Sequence, residues 1–154
     1  MTDPVEARLR RVEDELALRR LLADYSAFLD DRDYDSYVGL FAPDAEWTNP
    51  GGSYRGQAAI RAMLEQALGP AGAPNRSAYH LNSNARIDLD GDRATAVSRY
   101  LFVMRGPDHR PMPALAGIYR DAFVRQGGVW KIQRRLAEDI IPTHAEWEKI
   151  SAAR

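Results

Sequence analysis

His80, Asn82 and Asn84 occupy every second position of a strand-like segment, Ala78 to Leu89. The two-residue period of a strand puts all three on one face. Histidine is the side chain whose charge changes near neutral pH. Such a face can serve proton transfer or polar recognition, and it suits equally a strand turned to solvent. Upstream, Asp30, Asp31 and Asp33 gather where a helical pattern ends. All three read as helix-end or capping residues. A carboxylate at a helix C-terminus opposes the macrodipole, however, which hints at another use for one of them. Tyr25 precedes Asp30 by five residues, about 140° around a helix. Helix geometry alone does not join the two, and Tyr25 by itself reads as a core tyrosine with its hydroxyl at the edge.

Other chemistries are excluded or unsupported. The chain has no cysteine, which removes thiol nucleophiles, thiolate metal sites, iron–sulfur clusters and disulfides. Its three histidines, His80, His109 and His144, lie in no metal-binding spacing. His109 sits in a Pro/Gly loop and His144 in a polar terminal segment, so both are expected to face solvent. There is no GxSxG elbow. Gly51-Gly52-Ser53-Tyr54-Arg55-Gly56 lacks the Lys-Ser/Thr of a phosphate loop and reads as a turn. No cofactor or metal is expected.

The elements that must position these residues follow from periodicity. Asp3-Pro4-Val5-Glu6 is a helix start, with Asp3 as cap and Pro4 at the first helical position. Val5, Leu9, Val12 and Leu16, then Leu18, Leu21, Leu22, Tyr25, Phe28 and Leu29, form two shifted apolar stripes on one long helix ending near Asp30. A short helix is predicted over Tyr34 to Ala42, stopped by Pro43. Ala45 to Thr48 reads as a short strand, Asn49 to Gly52 as a turn, Gln57 to Leu68 as a helix and Gly69 to Asn75 as a loop. The period then changes. Strands are predicted over Ala78 to Leu89, Arg93 to Arg105, Leu115 to Arg125 and Val129 to Glu138, with a loop over Gly106 to Pro113. A terminal helix from Thr143 to Ala153 completes the chain. Helices first and an antiparallel meander afterwards argue for α+β.

The 154 residues suit one domain spanning 1–154, and 45% apolar residues suffice for a core. The net charge of -1 gives no electrostatic drive toward nucleic acid or anionic lipid. No apolar run approaches the roughly 18 residues of a membrane span. The charged N-terminus is no signal peptide, so a cytoplasmic location is expected.

Taken in order, the segments resemble the SnoaL-like branch of the nuclear transport factor 2-like superfamily. The resemblance is carried by Leu21-Leu22-Ala23-Asp24-Tyr25 leading to Leu29-Asp30, by Leu40 to Trp47, and by Tyr54-Arg55-Gly56 before a helix. It continues through Tyr79 to Asn84, Gly117 to Asp121 and Gly127 to Ile132. It implies a cone, in which a bent antiparallel sheet wraps the N-terminal helices around a deep pocket. The pattern is most similar to three cofactor-free lyases: scytalone dehydratase, bile-acid 7α-dehydratase and hexachlorocyclohexane dehydrochlorinase.

That likeness implies roles. Asp30 and His80 fall on the positions of a catalytic Asp–His pair, and Tyr25 on a dehydratase tyrosine. In such a pair the carboxylate fixes the imidazole tautomer and stabilises the imidazolium, while the imidazole moves the proton. An arginine of the dehydrochlorinase falls on or near Arg135. Strict alternation instead groups Arg134 with Trp130 and Ile132, so either Arg134 or Arg135 faces the pocket. Asn84 and Arg135 would orient polar substituents, and Trp47, Tyr54 and Phe102 would supply apolar wall. The implied activity is a dehydratase-like lyase acting on a small apolar or aromatic ring compound. A polyketide cyclase or ketosteroid isomerase-like enzyme, and a non-catalytic binding or dioxygenase small-subunit-like protein, are the other readings. A homotrimer or homodimer packed through the open sheet face is expected.

Overall fold

The computed structural model describes residues 4–153. Helix α1 runs from Val5 to Asp30. The Asp3 cap lies outside the described residues, and Pro4 precedes the first helical residue. The two stripes of α1 have different fates. Leu18, Leu21, Leu22, Tyr25 and Leu29 are buried, whereas Val5, Leu9, Val12 and Leu16 are exposed. The N-terminal half is instead tied down by Asp14. Its carboxylate accepts two bonds of 2.7 Å from Arg125 and one of 3.1 Å from the Trp130 indole.

Helix α2 (Tyr34–Gly39) is capped by Asp33, whose side chain accepts from the Ser36 amide. It ends earlier than the predicted Ala42. Strand β1 (Phe41–Asn49) begins there instead. The residue before a proline is driven toward extended backbone, which suits Ala42 before Pro43 to a strand. The Leu40 carbonyl also accepts the Ile132 amide at 2.8 Å, docking the chain on the sheet. The expected turn at 49–56 contains a further strand, β2 (Gly52–Arg55), paired with β1 from Glu46↔Arg55 to Asn49↔Gly52. Helix α3 (Gln57–Leu68) follows, burying Ile60 and Leu64.

Strands β3 (Ala78–Asp90), β4 (Arg93–Arg105), β5 (Pro111–Gln126) and β6 (Val129–Ile141) form an antiparallel meander. The full order is β2-β1-β6-β5-β4-β3. Because β1 runs parallel to β6, the sheet is mixed rather than wholly antiparallel. Strand β5 starts at Pro111, inside the expected loop. Before Ala116 it has no partner on the β6 side, so Pro111 and Pro113 need donate no ladder bond there. Strand β6 runs on to Ile141, past the expected Glu138. Helix α4 (His144–Ala152) follows, with the Glu146 carboxylate accepting from the Thr143 amide and hydroxyl at 2.8 Å. Among the described residues no helix is long and apolar enough to cross a membrane.

Candidate active site

Asp30 closes α1 and His80 opens β3, and the packing of α1 on the sheet brings them together. His80 Nδ1 lies 2.6 Å from Asp30 Oδ1. The His80 backbone N–H donates to Asp30 Oδ2 at 2.9 Å. Both carboxylate oxygens are therefore engaged by one residue. Asn75 fastens the joint from behind, its amide donating to the carbonyls of Asp30 and Ala78 at 3.0 and 2.9 Å. Both side chains are shielded, with 14% of Asp30 and 16% of His80 exposed. The Phe102 ring tilts against the imidazole at 4.7 Å.

His80 and Phe102 lie between two spaces. One is a recess of about 270 Å³ that holds Asp30. The other is a cavity of about 450 Å³ bounded by α1, α3, α4 and the sheet. Asp30 is thus behind His80, not beside it in the main cavity. With Nδ1 engaged by the carboxylate, Nε2 is the nitrogen left for a ligand.

Tyr25 lines the same cavity as His80. Its hydroxyl accepts the Trp47 indole N–H at 3.0 Å. Its ring contacts Tyr37 at 4.8 Å and Tyr119 at 5.7 Å. Burial, reinforced by Tyr25, pushes the Tyr37 and Tyr119 phenols well above their ordinary range. Both stay protonated in the working range of pH. Trp47 also lines the cavity, whereas Tyr54 supports it from behind at 6.0 Å and lies outside the lining.

Two expected binding residues are placed elsewhere. Asn84 is exposed, with φ 55, at an irregularity between Ser83 and Arg86. That bulge breaks the two-residue alternation, so Asn84 does not share the face of His80. Arg135, not Arg134, points inward, because an irregularity beside Gln133 shifts the alternation of β6 by one residue. Arg135 is completely buried and lies outside the cavity lining. It makes two bonds of 2.7 Å to Asp121, and its guanidinium lies 3.8 Å from the Tyr25 ring centroid and 4.3 Å from that of Tyr119. Burial opposes its charge, but Asp121 more than offsets this and holds the guanidinium protonated.

The cavity also has residues that were not anticipated. Tyr100 stacks on Tyr119 at 4.3 Å, and its hydroxyl donates to Asp139 Oδ1 at 2.6 Å. Burial and then Asp139 push the Tyr100 phenol far up. His144 was expected to face solvent, yet it lines the cavity with Trp147, its Nδ1 3.8 Å from Asp139 Oδ2. Asp139 lay one residue past the expected end of β6. The inward alternation of Arg135 and Ala137 would have exposed it. His109 is exposed and accepts from Arg105. Among the described residues no group of three His, Asp or Glu side chains is arranged to hold a metal.

Residues 10–136 match the family model of the SnoaL-like domain. The fold is similar to an NTF2-like protein with a cystatin-like fold from Novosphingobium aromaticivorans. The TM-score is 0.81 and the identity 26%, over 94% of this chain and 95% of that one. A putative scytalone dehydratase from the same organism is 30% identical with a TM-score of 0.72, covering 84% of this chain and 86% of its own. The gamma-hexachlorocyclohexane dehydrochlorinase of Sphingobium indicum is 24% identical over 131 residues, 84% of this chain and 82% of the enzyme. With the match spanning both the helix that ends in Asp30 and the strands that build the cavity, this chain belongs to the SnoaL-like family of the NTF2-like superfamily.

Proposed function

We propose that this protein is a dehydratase-like lyase that needs no cofactor and acts on a small ring-containing apolar molecule through Asp30 and His80. The observation that carries the reading is the engaged Nδ1 of His80, which leaves Nε2 for a ligand on a residue that lines an aromatic cavity. Neutral His80 takes a proton through Nε2 from a carbon beside the leaving group. The C–H electron pair becomes the new double bond and the carbon–oxygen bond breaks. The departing hydroxyl collects the proton from Nε2 and leaves as water, which restores the imidazole. Asp30 stabilises the imidazolium between these steps. Tyr25 donates to a carbonyl or hydroxyl of the substrate. The similarity to a putative scytalone dehydratase and to a dehydrochlorinase supports elimination as the reaction class.

A thermal-shift screen of phenols, polycyclic ketones and steroids identifies ligands. Occupancy at 100 times Kd adds about 2.7 kcal/mol, a rise of about 5–10 °C for a chain of this size. Hits are then followed by mass for loss of water. His80→Ala should bind the same compounds and turn none over. Turnover by His80→Ala at the wild-type rate would refute the reading. Binding without turnover by either protein would instead support a ligand-binding role.

The outward sheet face carries Leu81 and Leu101 in register, with Leu81 46% exposed. We propose that this face packs in a homotrimer or homodimer. Light scattering at micromolar concentration should give two or three times 17.3 kDa, and a monomer mass would exclude it.

A further inference from the structure

The Tyr100–Asp139 pair does no work in the elimination just described, yet it faces the same cavity. Asp139 Oδ1 is taken by the Tyr100 hydroxyl at 2.6 Å. Oδ2 accepts no hydrogen bond among the described residues, and His144 Nδ1 lies 3.8 Å from it. The side chain is 12% exposed. It is therefore a shielded carboxylate with one oxygen left to accept. The cavity lining contains this carboxylate and no Arg or Lys side chain among the described residues. Arg135, which lies behind the wall against the Tyr25 and Tyr119 rings, is already matched by Asp121.

Position adds a second constraint. In register, Tyr100 neighbours Asn82 on one side and Gly117 on the other, and Gly117 neighbours Asp139. His80 and Asp139 thus lie on strands three spacings apart, about 14 Å between backbones. The two side chains reach inward and shorten the gap. On the strands between them Phe102, Tyr100 and Leu115 line the cavity. The space suits a flat molecule of two or three rings with its reacting end at His80.

We propose that Asp139 is the specificity-determining residue of this site, its carboxylate selecting neutral fused-ring substrates that present a hydroxyl donor at the end remote from His80 and rejecting anionic ones. The proposal rests on the elimination reading for the identity of the reacting end, but it concerns binding alone. A donor hydroxyl fills the open acceptor at Oδ2. An anion would have to lose its hydration facing a carboxylate, with no Arg or Lys in the described lining to meet it and with His144 already turned to Asp139.

Calorimetric titration at pH 7.5 with 2-naphthol, 2-methoxynaphthalene and 2-naphthoate tests this without any turnover. These probes share a ring system and differ as donor, capped donor and anion. The wild-type protein should bind 2-naphthol at least 5-fold more tightly than 2-methoxynaphthalene and bind 2-naphthoate at least 20-fold more weakly than 2-naphthol. Asp139→Asn should shrink both ratios to within 2-fold. Tyr100→Phe should keep the preference for the donor, because the carboxylate remains. Equal wild-type affinities, or no binding of 2-naphthol, overturn the proposal whether or not the variants fold. So does an unchanged pair of ratios in Asp139→Asn, or a preference lost in Tyr100→Phe alone. His80→Ala should leave the ligand order intact, so a failure of the elimination reading registers separately, as absent turnover.

Discussion

Asp30→Asn tests the logic of the dyad at a single atom. The carboxylate accepts two donors, the His80 backbone N–H at 2.9 Å and Nδ1 at 2.6 Å. An amide can accept only one of them. If its oxygen faced the imidazole, its NH₂ would meet the backbone N–H, donor against donor. The stable arrangement gives the oxygen to the backbone and turns the NH₂ to Nδ1. Nδ1 must then become an acceptor, and the proton of the neutral imidazole moves to Nε2. The ligand-facing nitrogen would carry a proton where a base needs a lone pair.

The size of the effect follows from those bonds. One charge-assisted bond is exchanged for a neutral one and the second loses its charge, about 1–3 kcal/mol in stability. For a chain of this length that is a fall of about 2–10 °C in Tm. Turnover of any identified substrate should fall by about 10³–10⁴, the order of loss when a catalytic histidine is held in the wrong tautomer. The tautomer needs no substrate to be seen. Nitrogen-15 spectra of the labelled imidazole should show neutral His80 protonated at Nδ1 in the wild type and at Nε2 in Asp30→Asn. Protonation at Nε2 in the wild type, or an unchanged tautomer in the variant, refutes the reasoning.

Three further perturbations address the frame around the site. Arg125 and then Trp130 hold the Asp14 carboxyl below its ordinary range. A depressed folded pKa adds stability that is present above the unfolded value and disappears as pH falls through the folded one. Asp14→Asn should therefore be less stable at pH 7, and urea titrations of the two proteins should converge below about pH 3.8. Arg135→Met leaves Asp121 buried without its partner and should cost about 3–5 kcal/mol. Adding Asp121→Leu should recover most of it in denaturant unfolding, and no recovery would show that the arginine has a role beyond the pair. A Cβ on Gly117 would collide with the Tyr100 phenol and the Glu138 carbonyl. Gly117→Ala should displace Tyr100 from Asp139 at about 1–3 kcal/mol, visible as a changed tyrosine signal in near-ultraviolet circular dichroism and a lowered Tm.

Regular periodicity made the helices and the four long strands readable, and irregularity hid the rest. The ends of α1 and β3 were evident from Asp30 and from the change of period near Ala78. That these ends meet is a tertiary fact with no local signal; the family resemblance supplied it. Asn84 and Arg135 were misplaced or left open for one reason: each lies beside an irregularity in strand pairing, and one inserted residue reverses the facing of every side chain beyond it. The exposed Val5–Leu16 stripe has the pattern of a buried helix face, and pattern does not reveal whether anything lies opposite. The parallel pairing of β1 with β6 was hidden too, since Pro43 argued for the end of a helix and not for a strand.

The placement of Arg135 also explains how an apolar cavity can hold a tyrosine donor steady. A guanidinium free in the cavity would bind anions and, as a like charge, oppose the protonation of His80. Here Asp121 occupies Nε and Nη2, and the rings of Tyr25 and Tyr119 cover the cation. Its charge is used against ring faces. The Tyr25 ring is thereby fixed, and the Trp47 N–H fills an acceptor site on its hydroxyl. The hydroxyl proton is then left for a ligand or for the neighbouring phenols. Burial holds Tyr37, Tyr100 and Tyr119 protonated. Among the described residues the lining thus combines neutral donors with two imidazoles, His80 and His144, and with one carboxylate, Asp139, which Tyr100 holds. Of the two imidazoles only His80 has a carboxylate within hydrogen-bond distance of Nδ1, at 2.6 Å against 3.8 Å for His144, so the proposed proton removal falls to the atoms that reach His80 Nε2.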